Sequence, residues 1–485
     1  MSNAIDGLKP ELVWKYFAEI SKIPRGSKNE KQISAYVVQT AKNLGLEAKQ
    51  DKCLNVVVKK PASPGRENVP SVCLQGHLDM VCEKNKETVH DFEKDPIELV
   101  RKGNVIMANG TTLGADNGIA VATNLAIMED RSLEHGPLEL LFTVDEETGL
   151  TGANNLKPGL LNSTMLMNLD SEEDGILYVG CSGGRNTVGT WKASFKPAPA
   201  DSVPIVVHVK GLRGGHSGLE IDKGRGNSIK ILNRVLVTLE KVDARLSSIE
   251  GGNKSNAIPR EAEALVYIPK RNVKKAKAIV EKCSEMMKAE LASVEPDLAI
   301  VVEEPDVKKS GKVLKRNQQE FLFKTIAGLP HGVIKMSADI PGLVETSTNV
   351  AIIRTEKNRI EITTSQRSSV ASEIDEIVQS VGAVFSLGGA NVKYAEGYPG
   401  WKPNLESHIL KIVKSTYASM YGAEPEVKAI HAGLECGIIG EKFPGMDMVS
   451  FGPTLEGVHS PDEKIYIDTV EKFWNFLLGI LKNIN

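Results

Sequence analysis

Val72-Cys73-Leu74-Gln75-Gly76-His77-Leu78-Asp79-Met80 decides how this chain is read. An apolar run too short for a helix is a buried strand of an α/β domain, and here it leads into an imidazole and a carboxylate. In an extended chain His77 and Asp79 point to the same side, at the C-terminal end of a strand, where α/β proteins place their sites. A carboxylate so placed can hold the ring nitrogen that does not bind a metal. Taken alone, the pair reads better as a surface contact.

Similar runs flank it at Leu54–Val58, Leu138–Val144, Met165–Leu169, Val427–Ile430 and Met446–Ser450. Helical segments lie between them. Ser27-Lys28-Asn29-Glu30 reads as a capping box ahead of Ile33, Val37, Ala41 and Leu44 at helical spacing, with Gly45 as a stop. Asn117–Asp130 and a closing segment from Asp468 are further helices. This alternation predicts an α/β fold, with a mainly parallel or mixed sheet flanked by helices over residues 1–186 and 399–485. Residues 187–398 have another rhythm. Helices at Asn227–Val242, Val273–Leu291 and Ser372–Leu387 alternate with strands at Ala262–Ile268, Ala351–Arg354 and Arg359–Ser365. They read as an inserted α+β domain, with Asn256–Arg260 echoed by Asn349–Arg354 as if in two related halves.

Other acids stand at the ends of these elements. Gly110-Thr111-Thr112-Leu113-Gly114-Ala115-Asp116-Asn117-Gly118 puts Asp116 at a helix start. An N-cap explains it in part, yet three glycines around one aspartate indicate backbone held close to another group. Thr143-Val144-Asp145-Glu146-Glu147-Thr148-Gly149 ends a strand in three like charges, which repel unless something positive compensates them; a solvated turn is the alternative. Asp170 closes the strand at Met165 and could otherwise be a cap. Gly457-Val458-His459-Ser460-Pro461 leaves a histidine in a loop. Each has an ordinary structural explanation. Together they form the O/N ligand set of hard and borderline divalent metals. Two ions suit it better than one, because five ligands and a water exceed one tetrahedral shell.

Composition narrows the classes. The 485 residues carry 59 Lys+Arg against 62 Asp+Glu, a net charge of −3, with 41% hydrophobic residues. That excludes disorder, and it argues against nucleic-acid or membrane-surface binding through bulk charge. No stretch approaches the ~18 apolar residues of a membrane span, and Met1–Lys15 has no secretory apolar run. Six cysteines (Cys53, Cys73, Cys82, Cys181, Cys283, Cys436) without C-x-x-C spacing are expected as reduced, mostly buried thiols of a cytoplasmic protein. No dinucleotide fingerprint or P-loop supports nucleotide binding.

In order and spacing, His77-x-Asp79, Gly114-Ala115-Asp116, Glu146-Glu147, Asp170 and His459 resemble the M20 metallopeptidases. Arg213-Gly214-Gly215-His216-Ser217-Gly218 and Asn256-x-Ile258-Pro259 are similar to that family's lid motifs. Glu173–Ser182, Tyr398-Pro399-Gly400-Trp401 and His431-Ala432-Gly433-Leu434-Glu435-Cys436-Gly437 extend the resemblance along the chain, to the aminoacyl-histidine dipeptidase branch. The resemblance implies a zinc-peptidase-like catalytic domain with an inserted lid. It further implies a metallo-dipeptidase that hydrolyses Xaa-His dipeptides such as β-alanyl-histidine. His77, Asp116 and Asp170 would hold one divalent ion, and Asp116, Glu147 and His459 the other, with Asp116 bridging. Zn2+ is expected, with Co2+ or Mn2+ as alternatives. Three carboxylates and two neutral imidazoles against two such ions, with a bridging hydroxide, come to neutrality, so the cluster tolerates partial burial. Asp79 would orient His77, and Glu146 would be the general base on the bridging water.

In the lid, His216 would stabilise the oxyanion. Asn256 and Arg367 would take the substrate's C-terminal carboxylate, with Arg354 as the nearby alternative, and His431 would line the pocket. Cys436 has no paired histidine and reads as a buried thiol. The expected partner is a small dipeptide, with no nucleic acid or membrane, and the expected assembly is a homodimer. In the family the lid histidine often completes a partner subunit's site, and a duplicated lid would let a monomer work. The rivals are a deacylase or carboxypeptidase of the same family, and a non-catalytic metal- or peptide-binding protein on the same scaffold. A base beside a full ligand set speaks against the last.

Overall fold

Val72–His77 forms a strand in which every residue is buried, as parallel strands covered on both faces require. The computed structural model, which describes residues 4–305 and 311–485, places it inside an eight-stranded mixed sheet. The order is 47–50, 56–60, 138–143, 72–77, 165–168, 447–450, 176–181, 426–430. Val72–His77 runs parallel to Leu138–Thr143 and Met165–Asn168, and Asp447–Ser450 extends the parallel set. The antiparallel strand Val56–Lys60 makes the sheet mixed. Three neighbouring parallel strands therefore end at His77, Thr143 and Asn168, each at or just before a site motif.

The helix Ala115–Glu129 is buried nearly all round and approaches Val72–His77 closely. Gly76 permits this, since a Cβ there would lie 2.5 Å from Asn117 Oδ1 and 2.7 Å from the Ala120 Cβ. Asp116 is not its cap: no side chain caps this helix, and Asp116 has ψ 110°, outside the helical range. The capping box is a second correction. The helix Lys31–Asn43 starts behind Glu30 without a side-chain cap, because these groups are used elsewhere. The Glu30 carboxylate accepts the N–H groups of Lys28 and Asp145 at 2.8 and 2.9 Å, and the Ser27 hydroxyl donates to Asp79. A small four-stranded sheet of Leu99–Lys102, Val105–Ala108, Leu455–Glu456 and Lys464–Tyr466 has no counterpart in the sequence reading. Its hairpin presents the loop 457–463, which holds His459.

These elements form one unit, Met1–Gly180, Trp401–Ala429 and Leu434–Asn485; the other is Cys181–Gly400 with Ile430–Gly433. His431 belongs to the second unit, where the Ser182 N–H is shared between the carbonyls of Ile430 and Ala432.

The second unit is built on a nine-stranded sheet. Ser202–Lys210, helix Ser228–Leu239, Arg245–Gly251, Ala262–Pro269, helix Val273–Leu291 and Ala299–Glu303 make one half. Gly183–Lys192, helix Arg316–Gly328, Val344–Thr355, Arg359–Ser368, helix Ala371–Leu387 and Asn391–Tyr394 make the other. Apart from Gly332–Met336, the ninth strand, which pairs with Val344–Thr355 in the second half, each runs strand–helix–strand–strand–helix–strand, and from the outer edge each half reads fourth, first, third, second strand. The halves meet antiparallel at Gly251 and Ile353, and one hydrophobic core, including Val207, Leu232, Ile353 and Phe385, runs beneath both. Asn227 caps its helix by accepting from the N–H groups of Ile229 and Lys230. Among the described residues, no helix is long and apolar enough to cross a membrane.

Candidate active site

His77 ends its strand with its ring 1% exposed, and its two nitrogens face different partners. Nδ1 lies 3.3 Å from Asp79 Oδ1, while Nε2 lies 3.1 Å from Asp116 Oδ1 and 3.4 Å from Asp170 Oδ1. Asp116 turns its other oxygen, Oδ2, to His459 Nε2 at 3.1 Å, and that nitrogen is 3.0 Å from Glu147 Oε2. One carboxylate thus belongs to two sets, His77–Asp116–Asp170 and Asp116–Glu147–His459, each with donor atoms within 4.8 Å of one another.

Asp79 is fully buried and saturated with donors. Oδ1 accepts the Glu146 N–H at 3.0 Å; Oδ2 accepts the Glu147 N–H at 3.2 Å and the Ser27 hydroxyl at 2.8 Å. Burial alone would raise its carboxyl, but His77 and these donors hold it at about 2. Burial likewise works against Asp116, yet the imidazoles of His459 and His77 keep it below the usual carboxylate range. Asp116 and Glu147 in turn raise His459 to about 11. Glu146 opens the short helix Glu146–Gly149, and burial, with Asp170, Glu435 and Glu147 nearby, pushes its carboxyl well above the ordinary range. Asp170 Oδ1 is buried without a hydrogen bond. That orphaned oxygen, within a set of two imidazoles and three carboxylates, fits a pair of divalent ions.

One step back along the strands lies a buried polar row. Gln75 and Thr143 both donate to Glu435 Oε2 at 2.6 Å, Asn168 donates to Gln75 at 2.6 Å, and Ser450 donates to Asn168 at 2.5 Å. It ties together the strands that carry the site. The sequence reading missed Ser27 and this row, although Gln75 and Asn168 each stand two residues before a site residue.

The second unit gathers His216, Arg367 and His431. His216 Nδ1 accepts from the Leu219 and Gly218 N–H groups at 3.1 and 3.3 Å, which leaves the proton of the neutral ring on Nε2. Burial and the Arg367 cation lower its pKa to about 4. Arg367 is 6% exposed, donates Nη1 to the Tyr398 hydroxyl at 3.0 Å, and leaves Nε buried without a partner. His431 Nε2 lies 2.7 Å from Ser347 Oγ; burial, Arg367 and His216 bring it down to about 3. A buried guanidinium with a free donor beside two neutral imidazoles is an anion acceptor. Asn256 is exposed and lines a cavity of about 800 Å³ with His216, Arg213, Lys254 and Arg260. Arg354 is exposed on its strand, and Cys436 is buried.

The family model described as Peptidase family M20/M25/M40 matches residues 73–483. The chain belongs to this family. It is 41% identical, over 99% of both chains, to the cytosol non-specific dipeptidase of Escherichia coli K12. Among solved structures, the aminoacylhistidine dipeptidase of Vibrio alginolyticus matches with a TM-score of 0.91 and 41% identity, covering 100% of this chain and 98% of that one. A Bacillus cereus aminopeptidase, at 16% identity and a TM-score of 0.57 over 98% and 99% of the two chains, shares the fold. This M20 chain is a peptide hydrolase.

Proposed function

We propose that this M20 chain is a dinuclear metal-dependent dipeptidase acting on Xaa-His dipeptides, β-alanyl-histidine among them. The observation that carries the proposal is the Asp116 carboxylate, shared between His77 with Asp170 and His459 with Glu147. His77, Asp116 and Asp170 would hold one ion; Asp116, Glu147 and His459 would hold the other, with Zn2+ ahead of Co2+ or Mn2+. When bound, such a pair polarises a carbonyl and makes water acidic enough to attack at neutral pH.

The chain's own groups do the rest. Glu146 takes the proton of the attacking water on its carboxylate and passes it to the leaving amine. Asp79 fixes the ring of His77. His216 donates Nε2–H to the developing oxyanion. Arg367 takes the substrate's C-terminal carboxylate with help from Asn256, and His431 lines the same substrate pocket. Dipeptide specificity is supported by the names of both 41%-identical relatives, and the Xaa-His preference by the Vibrio enzyme's name. The cytosolic relative also supports a cytoplasmic setting. A homodimer is the proposed assembly, which light scattering measures.

The test is to count metals in protein purified without added metal. The same sample is then assayed on β-alanyl-histidine, on dipeptides lacking histidine and on N-acyl amino acids, with and without chelator. Two ions per chain and chelator-sensitive cleavage of the histidine dipeptide are expected. Faster cleavage of N-acyl amino acids would favour a deacylase, and chelator-resistant turnover would overturn the metal role.

A further inference from the structure

We propose that Arg25 and Glu463 are positioning residues for the metal centre, clamping the loop that ends in Asp116 from two sides. This rests on the two-metal reading above. Glu463 is 2% exposed. Its Oε2 accepts the N–H groups of Leu113 and Gly114 at 2.7 and 3.0 Å, and its Oε1 those of Ala115 and Asp116 at 2.7 and 3.3 Å. Four successive backbone donors thus converge on one carboxylate. Arg25, also 2% exposed, donates Nη1 to the carbonyls of Leu78 and Asp79, both at 3.0 Å, and Nη2 to the carbonyl of Gly114. The two buried charges compensate each other across the loop held between them.

Two of the three glycines around Asp116 now have a cause. Gly114 has φ 68°, and a Cβ at Gly114 or Gly118 would lie 2.6 Å from Arg25 Nη2. The backbone is held close to the guanidinium.

The clamp connects three of the elements that carry proposed ligands. Arg25 joins the Gly114 loop to the strand end that bears His77 and Asp79. Glu463 joins the same loop to the hairpin loop 457–463, which bears His459. Both ligands that face Asp116 therefore have their distance from it set by one of these side chains. An amide at 463 would turn an N–H2 group toward backbone N–H donors and loosen that spacing. Groups that orient metal ligands typically contribute ~10–100-fold in metal affinity.

A second buried carboxylate separates positioning from mere stability. Glu139 is 3% exposed and also collects backbone donors, the N–H groups of Asn162 and Ser163, both at 2.9 Å. It lies near the start of its strand, away from the residues that would hold metal.

The experiment titrates Zn2+ into the chelator-stripped full chain by calorimetry, for wild type, Glu463→Gln, Arg25→Lys and Glu139→Gln, with circular dichroism melts of each. Wild type should take two ions. Glu463→Gln and Arg25→Lys should weaken at least one of them by ~10–100-fold, whereas Glu139→Gln should melt lower yet bind both as wild type does. If Glu463→Gln fails to fold, Arg25→Lys decides by the same criterion. Clamp variants that melt lower but bind both ions with wild-type affinity would overturn the proposal. Wild type failing to take two ions would instead overturn the two-metal reading, and the clamp with it.

Discussion

The carboxylate of Asp79 accepts the backbone N–H of Glu146 at 3.0 Å, so the side chain that faces His77 Nδ1 at 3.3 Å also holds the backbone of the residue proposed as general base. An asparagine there has one acceptor oxygen for donors that now share two, and it cannot serve as the anionic partner of His77. Asp79→Asn should therefore lower both kcat and Zn2+ affinity, the latter by ~10–100-fold. Calorimetry and steady-state kinetics on one preparation check this. A variant that loses kcat alone would confine Asp79 to the base.

Arg367→Ala should raise KM for dipeptides by the roughly 2–5 kcal/mol typical of removing one partner of a buried charge pair. The C-terminally amidated dipeptide, already a poor substrate, should change little. Wild type and variant are compared on the acid and amide forms of one dipeptide. Equal weakening of both would remove Arg367 as the carboxylate anchor and turn attention to Arg354 or Arg260.

His216→Ala should lower kcat with KM nearly constant, because a donor to the oxyanion acts mainly in the transition state. A rise in KM with kcat intact would make His216 a ground-state contact.

Three histidines of the second unit are held low, chiefly by burial: His216 and His331 at about 4 and His431 at about 3. Unfolded, each binds its proton near pH 6.5. Between that value and pH ~4 each of these rings holds more proton in the unfolded chain than in the folded one, so its own contribution to stability falls as pH drops, while carboxyls raised by burial, Glu172 to about 8 and Glu435 to about 7, act in the opposite direction. Melts of metal-stripped wild type and His331→Asn across the window isolate the histidine contribution. His331→Asn, which replaces the ring whose Nδ1 sits 3.3 Å from Asn227, should shift the slope of Tm against pH so that the variant gains on wild type as pH drops. An unchanged slope would exclude His331 as a contributor.

Much of this was legible because three of the site motifs follow apolar runs too short for helices, which read as buried strands. His77, Glu146, Glu147 and Asp170 stand at the ends of three such runs, and the helix Val273–Leu291 keeps its expected limits. The edge elements were not legible: Leu99–Lys102 and Lys464–Tyr466 are short and compositionally mixed, so no apolar pattern marks them. Ser27 was misread as a cap because its hydroxyl is spent on Asp79, a partner 52 residues away. Arg25 gave no signal at all. Its role depends on backbone carbonyls that only folding brings together, although the glycines around Asp116 pointed to some such group.

The central claim is that Glu146 moves the proton while other residues hold the metals, and Glu146→Gln tests it most directly. Metal content and turnover of β-alanyl-histidine are measured on the same sample. Two ions per chain with turnover reduced ~10²–10⁴-fold are predicted. Two ions with wild-type turnover would contradict the account.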